Sequence, residues 1–171
     1  MLSEQAPRII TLKPGEFAFA EGLSRIQTLL GSCVSVTFWD AGRRLGAMCH
    51  YMLPERPSAK RGDTHLGRYG LEVMAHILET FRNRGIATPR LETRMFGGGN
   101  MFDPSLQMDD AISIGPRNVQ AGRQFLRDQG LRLCQEDTAG EVSRRVTFEV
   151  STGAVMVEHG ASLPVEPRRK R

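Results

Sequence analysis

Residues 28–54 constrain the fold of this chain more than any other segment, because two strand-like runs there flank a short polar break. The break reads Asp40-Ala41-Gly42-Arg43, and an Ala-Gly pair between β-rich runs is typical of a hairpin. If Asp40 faces Arg43 across a two-residue turn, Cys33 lies directly opposite His50. This register also gathers six apolar residues on one face, a pattern that a one-residue slip would destroy. The six are Val34, Val36, Phe38, Leu45, Ala47 and Cys49.

The predicted pairing of Cys33 with His50 has a chemical consequence. Directly opposed residues have Cβ atoms about 5 Å apart, close enough for a thiol and an imidazole to share a proton. A free thiol has a pKa of about 8.5, and an imidazole that takes its proton leaves a thiolate able to attack a carbonyl carbon. A lone strand cysteine is also commonly a small buried hydrophobe, and a lone histidine a satisfied core residue. The spacing by itself leaves both interpretations open.

Five separated blocks, in order along the chain, resemble the signature of the CheD family of chemoreceptor glutamine deamidases. The blocks are Leu30-Gly31-Ser32-Cys33, Gly46-Ala47-Met48-Cys49-His50-Tyr51-Met52-Leu53-Pro54, Arg68-Tyr69, Gly97-Gly98-Gly99-Asn100-Met101-Phe102 and Ile114-Gly115-x-Arg117-Asn118-Val119. The resemblance implies a β-sandwich-like core with helices packed outside it. It also implies a catalytic Cys33–His50 dyad assisted by an upstream threonine, for which Thr28 is the match. Strands favour β-branched residues in any case, so residue type alone does not assign a role to Thr28.

The family's activity implies that this chain converts specific chemoreceptor glutamines to glutamate with release of ammonia, in the cytoplasm and without a cofactor. The resemblance implies chemoreceptors as protein substrates and association with a CheC-type phosphatase. Two alternatives stay open from the residues themselves. One is a non-catalytic adaptor that binds chemoreceptors or such a phosphatase, and the other is a different Cys-His hydrolase, such as a thioesterase or a transglutaminase-like enzyme.

Composition narrows the class of protein. With 171 residues, 40% hydrophobic and 25% charged, the chain is expected to form one soluble domain. Three cysteines without paired spacing favour a reducing compartment over a disulfide framework, and no ligand pattern predicts a metal site. No apolar run approaches the roughly 20 residues that span a bilayer, and the first residues do not resemble a secretory signal. Part of the net charge of +4 lies in residues 168–171, a tail expected to be solvated rather than to bind nucleic acid.

The remaining patterns predict an α+β fold, with mixed and antiparallel strands and two main helices, rather than a doubly wound sheet. Helical spacing of apolar residues predicts helices over residues 69–84 and 118–129, the second introduced by Pro116. Strands are predicted near residues 8–12, 91–96 and 131–135, with a closing hairpin over 146–157. We expect one domain over residues 8–158, with flexible termini at 1–7 and 159–171.

Two loops are expected near the Cys-His pair, and one further thiol is expected to be buried. Residues 55–67 form a long polar stretch, predicted to be an exposed loop that contacts the receptor or gates the site. Gly97-Gly98-Gly99 lacks the Gly-Lys-Ser/Thr ending of a phosphate loop and predicts a turn that needs either close backbone approach or positive φ. Cys134 is expected to be a core thiol rather than a nucleophile.

Overall fold

A computed structural model describes residues 6–101 and 113–160, and these residues form nine strands and two α-helices. The strands are β1 (Arg8–Thr11), β2 (Phe17–Glu21), β3 (Ser24–Leu30), β4 (Val34–Asp40), β5 (Leu45–Tyr51), β6 (Glu92–Gly97), β7 (Arg132–Thr138), β8 (Arg144–Glu149) and β9 (Val155–His159). The helices are α1 (Gly70–Asn83) and α2 (Ile114–Asp128), and short 3₁₀ turns span Ser58–Lys60, Leu66–Arg68 and Thr88–Arg90. None of these helices has the length and apolar character needed to cross a bilayer.

The strands form two sheets, a four-stranded sheet in the order β1-β3-β8-β9 and a five-stranded sheet in the order β2-β5-β4-β6-β7. Pairing is antiparallel except for β1 with β3 and β6 with β7, which are parallel. An intersheet core contains residues from both sheets, among them Ile26, Met48 and Phe148. A helix-side core joins the other face of the five-stranded sheet to α1 and α2. The predicted α+β sandwich with helices outside it is therefore confirmed.

The centre of the five-stranded sheet is covered on both faces, and this explains why β4 and β5 are buried at nearly every position. A strand that is buried on both faces carries apolar or neutral side chains throughout. The six apolar residues predicted to share one face all lie in the helix-side core. The opposite side chains, including those of Thr37, Met48 and His50, are buried as well, on the side of the four-stranded sheet.

The predicted register of the β4–β5 hairpin is wrong by two residues. Asp40 pairs with Leu45 rather than Arg43, so His50 lies opposite Ser35 and not opposite Cys33. The longer turn is stabilised by the Asp40 carboxylate, which accepts the backbone N–H of Arg43 at 2.9 Å. Because side chains alternate with a period of two, a two-residue shift keeps every residue on its predicted face while changing every cross-strand partner.

Other elements confirm or correct the remaining expectations. The first helix, the β6 strand and the closing β8–β9 hairpin are confirmed, whereas α2 begins at Ile114, four residues before its predicted start at 118. Pro116 therefore lies within the first turn, where a backbone N–H would have no intrahelical partner to lose. Cys134 is exposed, not in the core, because β7 is an edge strand and only its neighbour Leu133 packs against the helix-side core.

The end of β9 and the loop at 55–67 can be compared with the predicted domain bound and the predicted exposed loop. Strand β9 continues through His159, one residue beyond the predicted end of the domain, and the basic tail at 168–171 lies outside the described residues, as does Phe102. Residues 55–67 are largely exposed, as predicted. Asp63 holds the end of this loop by accepting the backbone N–H of His65 and the hydroxyl of Tyr69.

The spacing of the two sheets gives a first prediction, at Gly46 in β5. A Cβ built on Gly46 would lie 2.6 Å from Cε1 of Phe148 in the facing sheet. We expect Gly46→Ala to lower the free energy of unfolding by about 1–3 kcal/mol, because the buried ring has to shift. Urea denaturation measures the change. Gly62→Ala is the control, since nothing lies within 4 Å of its added Cβ, and it should change stability by less than about 0.5 kcal/mol. Equal stability of the two variants would contradict this account of sheet spacing.

Candidate active site

His50 and Thr28 meet between the two sheets. His50 comes from β5 in the five-stranded sheet and Thr28 from β3 in the four-stranded sheet, and their side chains are 1% and 3% exposed. The distance from Thr28 Oγ1 to His50 Nδ1 is 2.7 Å. The structure thus brings together two of the three predicted site residues, although they are far apart in the sequence and belong to different sheets.

The hydrogen bonds of Thr28 determine which ring nitrogen of His50 carries the proton. The Thr28 hydroxyl donates to the Leu12 carbonyl oxygen at 2.8 Å. A hydroxyl has one hydrogen and a carbonyl can only accept, so the bond to His50 is donated by Nδ1–H. In the neutral ring this leaves the lone pair on Nε2. Nε2 is buried and has no hydrogen-bond partner among the described residues.

Burial also determines the charge of His50. Removal from water lowers the pKa of His50 to about 4, and the Glu16 carboxylate offsets only part of this effect. The ring is therefore neutral at pH 7, with Nε2 able to accept a proton. An imidazole held by one nitrogen and free at the other is suited to general base catalysis.

Cys33 lies in the bend immediately before β4, half-buried against the intersheet core and so on the same side of the sheet as His50. The prediction that Cys33 lies directly opposite His50 is wrong, because Ser35 takes that position and Cys33 precedes Ser35 by two residues, just outside the paired strand. The two groups make no hydrogen bond in this structure, since Nε2 has no partner among the described residues. Catalytic hydrogen bonds commonly tighten only when substrate binds.

The thiol of Cys33 is protonated in this arrangement. Burial raises the pKa of Cys33 above its ordinary value, just as it lowers the pKa of His50. The resting pair is therefore a neutral thiol beside a neutral imidazole, not a preformed thiolate and imidazolium. Proton transfer from sulfur to nitrogen has to accompany attack on a carbonyl carbon.

The backbone around Cys33 is held through its carbonyl groups. The Gly31 oxygen accepts the N–H of Gly99 at 2.9 Å, and the Cys33 oxygen accepts the N–H of Gly98 at 2.8 Å. Gly97 and Gly98 have φ values of 103° and 64°, so the predicted glycine turn with positive φ is confirmed. A Cβ on Gly97 would collide with the Cys33 carbonyl oxygen. This close approach requires glycine and sets the position of residues 31–33.

One residue near the site belongs to the fifth sequence block, although no role was predicted for it from the sequence. Asn118 in α2 is fully buried, and its side-chain nitrogen donates to the carbonyl oxygens of Ser32 and Met52. The available signal was a polar residue on the otherwise apolar inner face of a helix, next to the buried Val119. Within residues 6–101 and 113–160, no group of three or more His, Cys, Asp or Glu side chains is placed to hold a metal ion.

The family model and the curated relatives name the same family. The family model described as CheD chemotactic sensory transduction matches residues 52–159. The probable chemoreceptor glutamine deamidase CheD 2 of Albidiferax ferrireducens is 38% identical, over 91% of this chain and 89% of the relative. CheD 3 of Dechloromonas aromatica, with the same description, is 41% identical over 93% of this chain and 92% of the relative. Among solved structures, the Bacillus licheniformis hypothetical protein YfiH has a TM-score of 0.45 at 13% identity, covering 78% of this chain and 60% of that chain.

The raised pKa of Cys33 gives a prediction about its reactivity. Only the thiolate is alkylated, and burial keeps the thiol protonated at neutral pH, so we expect the rate of alkylation by iodoacetamide to rise steadily beyond about pH 8.5. Peptide mass spectrometry of the Cys33-containing fragment measures this rate separately from that of the exposed Cys134. A rate that levels off between pH 6 and 7 would instead indicate a thiolate–imidazolium pair in the resting protein.

Proposed function

This chain belongs to the CheD family, and from that membership we propose that it hydrolyses the side-chain amide of chemoreceptor glutamines, giving glutamate and ammonia. The relatives are named as probable chemoreceptor glutamine deamidases, and they match nine-tenths of this chain or more. The observation that carries the proposal at the level of chemistry is the state of His50. Its Nδ1 is held by Thr28, and its Nε2, on the side of the sheet where Cys33 lies, has no hydrogen-bond partner within residues 6–101 and 113–160.

In the first step, Cys33 is the nucleophile. Its Sγ forms a bond to the amide carbon of the glutamine side chain while His50 Nε2 takes the thiol proton. The electron pair of the C=O bond moves onto oxygen, giving a tetrahedral oxyanion. The neutral resting pair supports this order, because a protonated thiol needs a base at the moment of attack.

In the second step, the intermediate collapses. The pair on oxygen re-forms the C=O bond, the C–N bond breaks, and the proton on His50 Nε2 goes to the departing nitrogen, which leaves as ammonia. The product is a thioester of Cys33. His50 then removes a proton from water as the water oxygen attacks the thioester carbon, and its return to sulfur restores the thiol and releases glutamate. Thr28 keeps the ring oriented throughout by accepting from Nδ1.

The consequence for a receptor is electrostatic. Each turnover replaces a neutral side chain by an anionic one, which changes repulsion within a packed helical bundle and hence the balance of its signalling states. Association with a CheC-type phosphatase and a cytoplasmic location stay predictions. The loop at 55–67 stays a candidate for receptor contact, since it is exposed and lies between β5, which carries His50, and α1.

The proposed activity is tested by mass spectrometry of a purified chemoreceptor cytoplasmic fragment incubated with this protein. We expect a mass gain of about one dalton at each converted glutamine, together with ammonia release, because an amide becomes an acid. Cys33→Ala should abolish both signals while the protein stays folded, as judged by circular dichroism. Conversion by Cys33→Ala would remove this thiol from the mechanism. Receptor binding by the unmodified chain without any mass gain would favour the adaptor alternative.

The role of Thr28 gives a separate prediction. Thr28→Val keeps the shape of the side chain but removes the hydroxyl that accepts from His50 Nδ1. We expect kcat to fall roughly a hundredfold, the lower end of what general acid–base catalysis contributes. Thr28→Ser keeps the hydroxyl and is the matched control, so its kcat should stay near that of the unmodified protein. An unchanged kcat in Thr28→Val would show that the hydroxyl does not orient His50.

A further inference from the structure

Asn118 connects the two chain segments that carry the proposed nucleophile and base. Its Nδ2 lies 3.3 Å from the carbonyl oxygen of Ser32, the residue before Cys33. The same Nδ2 lies 2.9 Å from the carbonyl oxygen of Met52, two residues after His50. The Asn118 backbone oxygen in turn accepts the hydroxyl of the buried Tyr51 at 2.7 Å. One buried amide group is thus bound to both sides of the site.

The orientation of the Asn118 amide is determined by these partners. Two carbonyl oxygens can be satisfied only by the NH₂ group, so Oδ1 points elsewhere, and it is buried with no hydrogen-bond partner among the described residues. An unpartnered buried carbonyl costs about 1–3 kcal/mol, which an apolar side chain of similar size would avoid. An apolar side chain would, however, leave the Ser32 and Met52 carbonyl oxygens without this donor, so the contribution of the NH₂ group lies in what it holds.

Asn118 sets the direction of the backbone N–H of Cys33. The C=O of Ser32 and the N–H of Cys33 belong to one planar peptide unit, and in a trans peptide they point in opposite directions. The described residues contain no cis peptide bond. A donor that holds the Ser32 oxygen therefore turns the Cys33 N–H away from α2. That N–H donates to no backbone or side-chain acceptor among the described residues.

We propose that Asn118 is a positioning residue that fixes the Ser32–Cys33 peptide so that the Cys33 N–H stabilises the oxyanion formed on attack. This inference rests on the proposed function in one respect, that Cys33 is the nucleophile. When Sγ bonds to a carbonyl carbon, the electron pair of the C=O bond moves to oxygen, and the N–H of the same cysteine donates a hydrogen bond to it. Gly98 and Gly99 hold the carbonyls on either side, so the peptide has no freedom to rotate.

Two reagents separate this role from an effect on the thiol. Acylation of Cys33 by p-nitrophenyl acetate passes through a tetrahedral oxyanion, forming an S–C bond and releasing p-nitrophenolate. Alkylation by iodoacetamide forms an S–C bond by direct displacement of iodide and produces no oxyanion. The ratio of the two rates at Cys33 therefore reports oxyanion stabilisation. All proteins carry Cys134→Ser, because that thiol is exposed, whereas Cys49 is fully buried.

The variants are Asn118→Ala, which removes the donor, and Asn118→Asp, which places carboxylate oxygen against the Ser32 and Met52 carbonyls. We expect the acylation rate to fall by roughly 10²-fold in both while alkylation changes by less than about threefold, as for loss of an oxyanion donor. Leu126→Ala is the matched control, since it cuts a buried side chain on the same helix away from residues 31–33. It should lose stability and keep the ratio of rates.

Three results would overturn the inference. In the first, acylation and alkylation fall together in Asn118→Ala, which places the effect on the thiol or on the fold. In the second, neither rate falls, and in the third, Cys33 is not acylated even with Asn118 in place. Neither reagent involves a receptor. If the acylation and alkylation rates change as expected but receptor glutamines stay unchanged, the deamidase proposal is contradicted and the role of Asn118 is supported.

Discussion

The hydrogen bond between Thr28 and His50 is the interaction on which the candidate site depends. It joins β3 of one sheet to β5 of the other in the interior of the sandwich. A buried imidazole is costly unless its polar atoms are bonded, and here Nδ1 is satisfied by a hydroxyl that is itself held by the Leu12 carbonyl. Because the Thr28 hydroxyl donates to Leu12, Nδ1–H of His50 donates to Thr28, and Nε2 is left as the acceptor. The two-sheet architecture thus sets the protonation state of the ring as well as its place.

Burial has opposite effects on the two titratable groups of the site, and together these effects define its resting state. It keeps Cys33 protonated and His50 neutral, so neither group carries charge at pH 7. A neutral pair avoids the desolvation cost of a buried ion pair. Charge has to be stabilised in this buried site only during the attack, when it develops on the substrate oxygen. In the proposed role of Asn118, the backbone N–H of Cys33 is then the donor to that oxygen, which is why the peptide held by Asn118 matters.

The glycine turn and α2 support residues 31–33 through their carbonyl groups. The carbonyl groups of these three residues are bound in turn by Gly99, Asn118 and Gly98. Such support keeps a bend before β4 in one conformation without using its N–H groups. A rigid scaffold that carries a short functional loop is the usual way in which proteins position reactive side chains.

Much of this architecture follows from local pattern, since the alternation in residues 34–49 predicts which side chains face the helices and which face the other sheet. That alternation has a period of two, and it survives the two-residue error in register because both registers have the same parity. The error itself came from the turn, where the Asp40 carboxylate stabilises a longer loop than the Ala-Gly pair indicates. The sequence by itself determined the α+β class and the faces of the strands, and its resemblance to the CheD family singled out the Cys-His pair, whose catalytic role stays a prediction. Only the tertiary structure decided that Thr28 meets His50 and that Asn118 holds the Ser32 carbonyl, because these contacts join segments far apart in the chain and no local periodicity encodes them.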